Sequence, residues 1–275
     1  MRSRYALLLV LLVISACSSA PPRGGGYYQD DGPQSSTPVD IWQVPEPTPK
    51  HEALSNYGNK PYTVFNKTYY PLKDVRGYRE RGIASWYGKK FHGKRASSGE
   101  PYDMYALSAA HKTLPLPSYA RVRNLANNRS VVVRVNDRGP FLDNRLVDLS
   151  YTAAARLGIL GTGTGLVEVE GLTPDEPGRK EAQTTHEPPT AGQTPETAPK
   201  LYVQAGAFTN LDNARALRTR LENGALRPIE IQTARLDNQV VHRVRIGPLA
   251  SIEESDRVAA NVAGLGIYNA YVLVE

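Results

Sequence analysis

Hydrophobic and polar residues alternate in short runs through the middle of the chain. Gly82-Ile83-Ala84-Ser85-Trp86-Tyr87, Tyr119-Ala120-Arg121-Val122-Arg123, Val131-Val132-Val133-Arg134-Val135 and Leu166-Val167-Glu168-Val169-Glu170 are β-branched or alternating, with turn residues between them, and read as strands. A helix is predicted over Tyr151–Leu157, with Ser150 as its N-cap and Gly158 as its stop. Many short strands with one or two helices point to a mainly β unit, a small barrel, over roughly Tyr62–Leu172.

The C-terminal part follows a different pattern, a weak internal repeat. Strands at Leu201–Phe208 and Val241–Leu249 are each followed by a helical stretch, Leu211–Leu221 and Ile252–Ala263, and then by another strand, Ile229–Arg235 and Ala270–Val274. The order βαββαβ argues for an α+β unit with two helices on one face of a four-stranded antiparallel sheet. Strict alternation turns Val203, Ala205, Val244 and Ile246 toward the helices. It leaves Tyr202, Gln204, Gly206, Arg243 and Arg245 on the other face, either a docking surface or a solvated one.

Two stretches lack any such pattern. Residues 18–60 are rich in Pro, Gly, Ser and Tyr and read as a disordered tether, and residues 173–199 as a Pro-rich linker. Ahead of the tether, Arg2 and Arg4 precede an apolar run, Tyr5–Ile14, and then small residues and Cys17, the pattern of a secretory signal peptide. Ile14-Ser15-Ala16-Cys17 resembles a bacterial lipobox. The resemblance implies cleavage after residue 16, a diacylglycerol on the Cys17 thiol and, with Ser18 rather than Asp following, the periplasmic face of the outer membrane. One cysteine excludes an intramolecular disulfide and a Cys-rich zinc site. The formal charge of +6, from 33 Lys and Arg against 27 Asp and Glu, favours a polyanionic partner only mildly. Lys89, Lys90, Lys94 and Arg95 concentrate it in the central unit, where an anionic wall polymer is one partner and plain solvation the alternative. No HExxH, EF-hand or Walker A pattern occurs, so neither a metal nor another cofactor is expected, and the export signal argues against nucleic acid.

Candidate chemistry collects at strand ends and loops of the central unit. Glu100 lies in a turn-rich segment, His111 follows eleven residues later, and Asp137 stands where a strong strand ends. Two carboxyls and a His suffice for acid–base work on a glycosidic bond. Each has a plain alternative: Asp137 as a turn cap, Glu100 as a solvated loop acid, His111 as a structural hydrogen-bonding residue. Trp86 and Tyr87 could stack on sugar rings, or Trp86 could alternate into the core. Asp148, between apolar residues just before the helix, is either a third site acid or a hydrogen-bonding residue near the helix start.

Taken together, Gly82–Gly88, Gly99-Glu100-Pro101-Tyr102-Asp103, Ala109-Ala110-His111-Lys112-Thr113-Leu114-Pro115 and Val135-Asn136-Asp137-Arg138-Gly139-Pro140-Phe141 resemble the rare lipoprotein A family. Tyr202–Phe208 and Arg243–Pro248 resemble a SPOR domain. The resemblance implies a signal peptide (1–16), a lipidated tether (17–60), a six-stranded double-psi β-barrel (61–172), a linker (173–199) and a SPOR domain (200–275). It implies a lytic transglycosylase that cuts MurNAc–GlcNAc bonds in glycan strands lacking stem peptides, leaves 1,6-anhydro ends, and works at the division septum among division proteins. Asp137, Glu100 and His111 would be catalytic: Asp137 as acid and then base, Glu100 stabilising positive charge or sharing the proton transfers, His111 orienting a carboxyl. Trp86, Tyr87, Tyr102 and Arg138 would contact substrate, and Gln204, Phe208, Arg243 and Arg245 would bind glycan on the SPOR domain. Ser97-Ser98 stands where the family often has Thr-Ser-Asn. The alternative is an expansin-like protein that grips peptidoglycan without cutting it.

Overall fold

The computed structural model describes residues 39–142, 144–174, 199–236 and 239–275. The signal peptide, Cys17 and most of the Pro-rich linker lie outside the described residues. A short hairpin, β1 (Tyr62–Val64) and β2 (Lys67–Tyr69), precedes six strands that close a barrel: β3 (Arg79–Trp86), β4 (Ser108–His111), β5 (Ser118–Asn124), β6 (Ser130–Asp137), β7 (Val147–Leu149) and β8 (Gly165–Leu172). The order around the barrel is β3-β7-β4-β6-β5-β8, with β3/β7 and β4/β6 parallel and the other pairs antiparallel. Closure leaves no sheet edge. Strand β4 is buried throughout and carries no alternation, and β7, Val-Asp-Leu, alternates over only three residues, too few to mark a strand in sequence.

Helix α1 (Tyr151–Leu157) forms where predicted, for the predicted reasons. Ser150 Oγ accepts from Ala153 N, and Gly158 ends the helix at φ 75°, a conformation that favours glycine. The barrel core, including Ala84, Trp86, Leu107, Val122, Val133, Leu149 and Val169, packs against this helix.

The chain ahead of the barrel departs from the tether reading. From Ile41 it lies against the barrel, where the buried Arg156 and the half-buried Arg134 and Arg138 take acceptors from it. Arg156 donates to the carbonyls of Ile41, Trp42 and Val44. Ser55 N donates to Leu116 O at 2.8 Å, and Asn59 Oδ1 accepts from Leu116 N at 2.8 Å.

The C-terminal unit has β9 (Leu201–Phe208), α2 (Leu211–Asn223), β10 (Ile229–Leu236), β11 (Gln239–Leu249), α3 (Ile252–Gly264) and β12 (Tyr271–Val274). Its antiparallel sheet has the order β10-β11-β9-β12, and Val203, Ala205, Val244 and Ile246 lie in a core with Leu221 and Val262 of the helices.

Candidate active site

Asp137 ends β6, where the register slips: Val135 pairs with Ala109 but Asp137 pairs with Ala110, leaving Asn136 as a bulge. Asp137 Oδ1 then takes three donors, Ser97 N at 2.8 Å, Ser97 Oγ at 2.7 Å and Arg138 N at 2.7 Å. Ser98 N donates to Asn136 O at 3.1 Å, which fastens the same loop to the bulge. The loop carries Glu100, whose two oxygens accept from Arg134 at 2.7 and 2.8 Å. These bonds hold its carboxyl below the usual carboxylate range, so Glu100 is ionised at neutral pH. The structure thus brings Glu100 and Asp137 to one loop–strand junction.

Arg134 has a second acidic partner. Its Nε and Nη2 donate to Glu52 at 2.9 Å each, and Tyr119 donates its hydroxyl to the same carboxyl. Glu52 is pulled down to about 2, chiefly by the Arg134 hydrogen bonds. A cavity of about 500 Å³ beside Glu52, lined also by Lys73, Arg76 and Tyr119, includes neither Glu100, Asp137 nor His111.

His111 does not orient a carboxyl. It is 2% exposed, and its Nδ1 accepts from the backbone N–H groups of Thr113 and Leu114 at 3.1 and 2.9 Å. Nε2 therefore bears the proton and donates to Tyr78 Oη at 2.9 Å, whose own hydrogen goes to Glu80. Burial pushes His111 down to about 3, with the charges of Lys112 and Arg138 adding to it. It stays neutral and shapes the turn at 112–114.

Arg138 is spent on the same turn. It donates to the carbonyls of Gly58, His111 and Leu114 and lies 5.8 Å from the Tyr62 ring. It staples the entering chain to the barrel instead of reaching for substrate. The three rings expected to meet sugar are buried as well: Trp86 is in the barrel core, and Tyr87 stacks on Tyr102 with centroids 4.0 Å apart. An inward β3 and a tightly folded 87–105 loop take these faces out of reach. Tyr57, beside the Gly58 whose carbonyl takes Arg138, is 84% exposed.

Two family models match this chain, one described as lytic transglycolase over residues 79–170 and one as SPOR domain over residues 197–273. An endolytic peptidoglycan transglycosylase RlpA of Pseudomonas aeruginosa is 41% identical over 83% of this chain and 80% of its own length. Its namesake in Vibrio cholerae is 36% identical over 88% and 87%. The chain belongs to the RlpA family. The crystal structure of the RlpA SPOR domain from Pseudomonas aeruginosa matches 26% of this chain and 96% of its own, at 32% identity and a TM-score of 0.26.

In this chain's SPOR domain the expected glycan face is rearranged. The β9/β11 register shifts so that Arg245 pairs with Gln204 but Val244 with Gly206, and Ala205 is the bulged residue. Beyond the bulge the alternation inverts, so Gly206 and Phe208 face α2, where Phe208 packs on the core. Gln204 is 5% exposed, with Nε2 donating to Tyr271 Oη at 2.7 Å. Arg245, 2% exposed, pairs with Glu275 at 2.6 Å beside the Tyr202 ring. Arg243 keeps partial exposure opposite the exposed Ala207, and is the predicted SPOR residue left facing out.

Sequence reasoning missed Ser97, Arg134 and Glu52. A lone Arg in Val131–Val135 was a visible signal for Arg134. Glu52, in a Pro-rich stretch, had none.

Proposed function

We propose that this chain is an endolytic lytic transglycosylase of peptidoglycan, acting on glycan strands without stem peptides at the division septum. The observation that carries this reading is the junction of Asp137 and Glu100, one acid held by three donors and the other ionised by Arg134, on a barrel of the transglycosylase family. The bond between MurNAc C1 and the GlcNAc O4 breaks, O4 gains a proton, and MurNAc O6 attacks C1 while losing its own. No water is consumed, and the product ends in 1,6-anhydroMurNAc. Ionised Glu100 stabilises positive charge at C1 and the ring oxygen. Asp137, with Oδ1 occupied as an acceptor, takes the O6 proton as base.

The lipid on Cys17 and a place on the periplasmic face of the outer membrane belong to the same reading, supported by the lipobox-like tetrad. Recruitment to the septum, alongside division proteins and in support of daughter-cell separation, is supported by the SPOR domain. The test uses peptide-free sacculi and mass spectrometry of the released glycan. Anhydro-ended products that vanish in Asp137→Asn are expected. Reducing ends would make the protein a hydrolase, and binding without release would make it an expansin-like wall binder.

A further inference from the structure

Resting on that reading, we infer that the cavity beside Glu52 is a second sugar subsite, which holds a MurNAc of the same strand by the carboxylate of its lactyl group. The ligand class is an N-acetylated sugar with a free carboxylate. An attached stem peptide turns that carboxylate into an uncharged amide, so the subsite reads whether the peptide has been removed. The substrate it selects is the product of an amide hydrolysis.

At about 500 Å³ the cavity has the size of a small-ligand pocket. Most of it is built by residues from 50–54 ahead of the hairpin, from 73–76 before β3, and from 172–174 where β8 ends. All three stretches fall outside residues 79–170, which the transglycolase family model matches. Leu54, Val75, Pro117 and Leu172 give it apolar walls, suited to the C–H faces of a pyranose. Ser118 lines the same cavity, is 8% exposed, and has a hydroxyl with no hydrogen-bond partner among the described residues. A sugar hydroxyl or acetamido oxygen would satisfy it.

The charge of the cavity favours an acid. Asp74 pairs with Arg76 at 2.8 Å, and both oxygens of Glu52 accept from Arg134, one of them from Tyr119 as well. Lys50 and Lys73 are exposed and form no ion pair among the described residues, and Lys50 acts on Glu52 only through space. A carboxylate entering here meets two cations without a partner of their own, beside apolar walls that strengthen the attraction. The cavity also adjoins the candidate acids. Arg134 grips Glu52 with one side of its guanidinium and Glu100 with the other, so a strand lying along Glu100 has its continuation beside Glu52.

The experiment uses the full mature chain and soluble GlcNAc–MurNAc oligomers in two forms, with the lactyl carboxylate free or converted to a carboxamide. The double variant Lys50→Gln, Lys73→Gln is expected to raise KM about tenfold on the free-carboxylate oligomer at unchanged kcat. On the carboxamide its KM should stay within about twofold of wild type, and Lys50→Arg with Lys73→Arg should restore the wild-type value on both. A loss of equal size on the two oligomers, or on neither, overturns the subsite. Binding is read separately from turnover by NMR of the Leu54, Val75 and Leu172 methyl groups in the Asp137→Asn chain. These signals should shift with the free-carboxylate oligomer and stay in place with the carboxamide. A wild type that releases no anhydro ends overturns the transglycosylase reading, and the methyl signals then decide the subsite alone, their silence overturning it. Shifts caused by free stem peptide and not by the glycan would make the cavity a peptide site, which overturns the assignment as well.

Discussion

His111 illustrates how a site residue acts without touching substrate. Its neutral ring accepts two backbone N–H groups and donates to Tyr78, so protonation would break the turn that holds Arg138. Its folded pKa is depressed to about 3, so the unfolded chain binds the proton more readily from about pH 6.5 downward. Stability should therefore fall on acidification, by about 2 kcal/mol between pH 7 and pH 5 from this group alone. Urea unfolding of His111→Gln should show a lower stability at pH 7 and a shallower loss toward pH 5. Equal slopes for variant and wild type would contradict the buried neutral ring. Asp148 acts in the opposite direction. Its raised pKa makes ionisation costly to the fold above about pH 4, and the full cost is present above pH 6. A thermal melt of Asp148→Asn should gain over wild type at pH 8 and match it at pH 4.

Among the elements, the segment at 39–60 matters most. Composition marks it as tether, yet it supplies acceptors to Arg156, Arg138 and Arg134 and so belongs to the barrel domain. Glu52→Gln breaks a charge-assisted pair with Arg134 and should cost roughly 1–3 kcal/mol at pH 7, read by chemical unfolding. Because Glu52 titrates at about 2 in the fold, that stabilisation is present above pH 4.5 and fades only as pH falls through 2. On β9, the bulge at Ala205 separates residues that strict alternation would group. Phe208→Ala should lower the melting temperature through lost packing, whereas Arg243→Ala should weaken pelleting with peptide-free sacculi at an unchanged melting temperature. The reverse pattern would restore the unbulged register.

In the whole molecule the two cores meet. Arg145, buried beside the barrel's acids, donates through both Nη atoms to Asp256 on α3, and Leu125 and Leu166 of the barrel pack against the C-terminal core. Removing residues 200–275 should cut pelleting with peptide-free sacculi at least about tenfold, the scale on which a second binding module acts. Anhydro-ended products from soluble glycan should persist. Loss of all turnover would instead make the Arg145–Asp256 contact a requirement for the active barrel.

The sequence by itself determined the two-unit plan, helix α1 with both its caps, the strands with visible alternation, and the candidate acids Glu100 and Asp137. Periodicity, capping and turn chemistry are local properties, written within a few residues of where they act. Tertiary structure decided what local pattern does not encode. It buried Trp86, Tyr87 and Tyr102, because the end of β3 is buried without alternation from Gly82 to Trp86 and a tight loop gives no sign of which face looks inward. It inverted Phe208 through one bulged residue, since a period of two loses its phase at every insertion. It brought Glu52 to Arg134 from 82 positions away, and it set Asp148 beside Asp137 through a register across three strands. Such pairings are settled by barrel closure and by the need of buried charges for partners, and both arise only once distant parts of the chain have met.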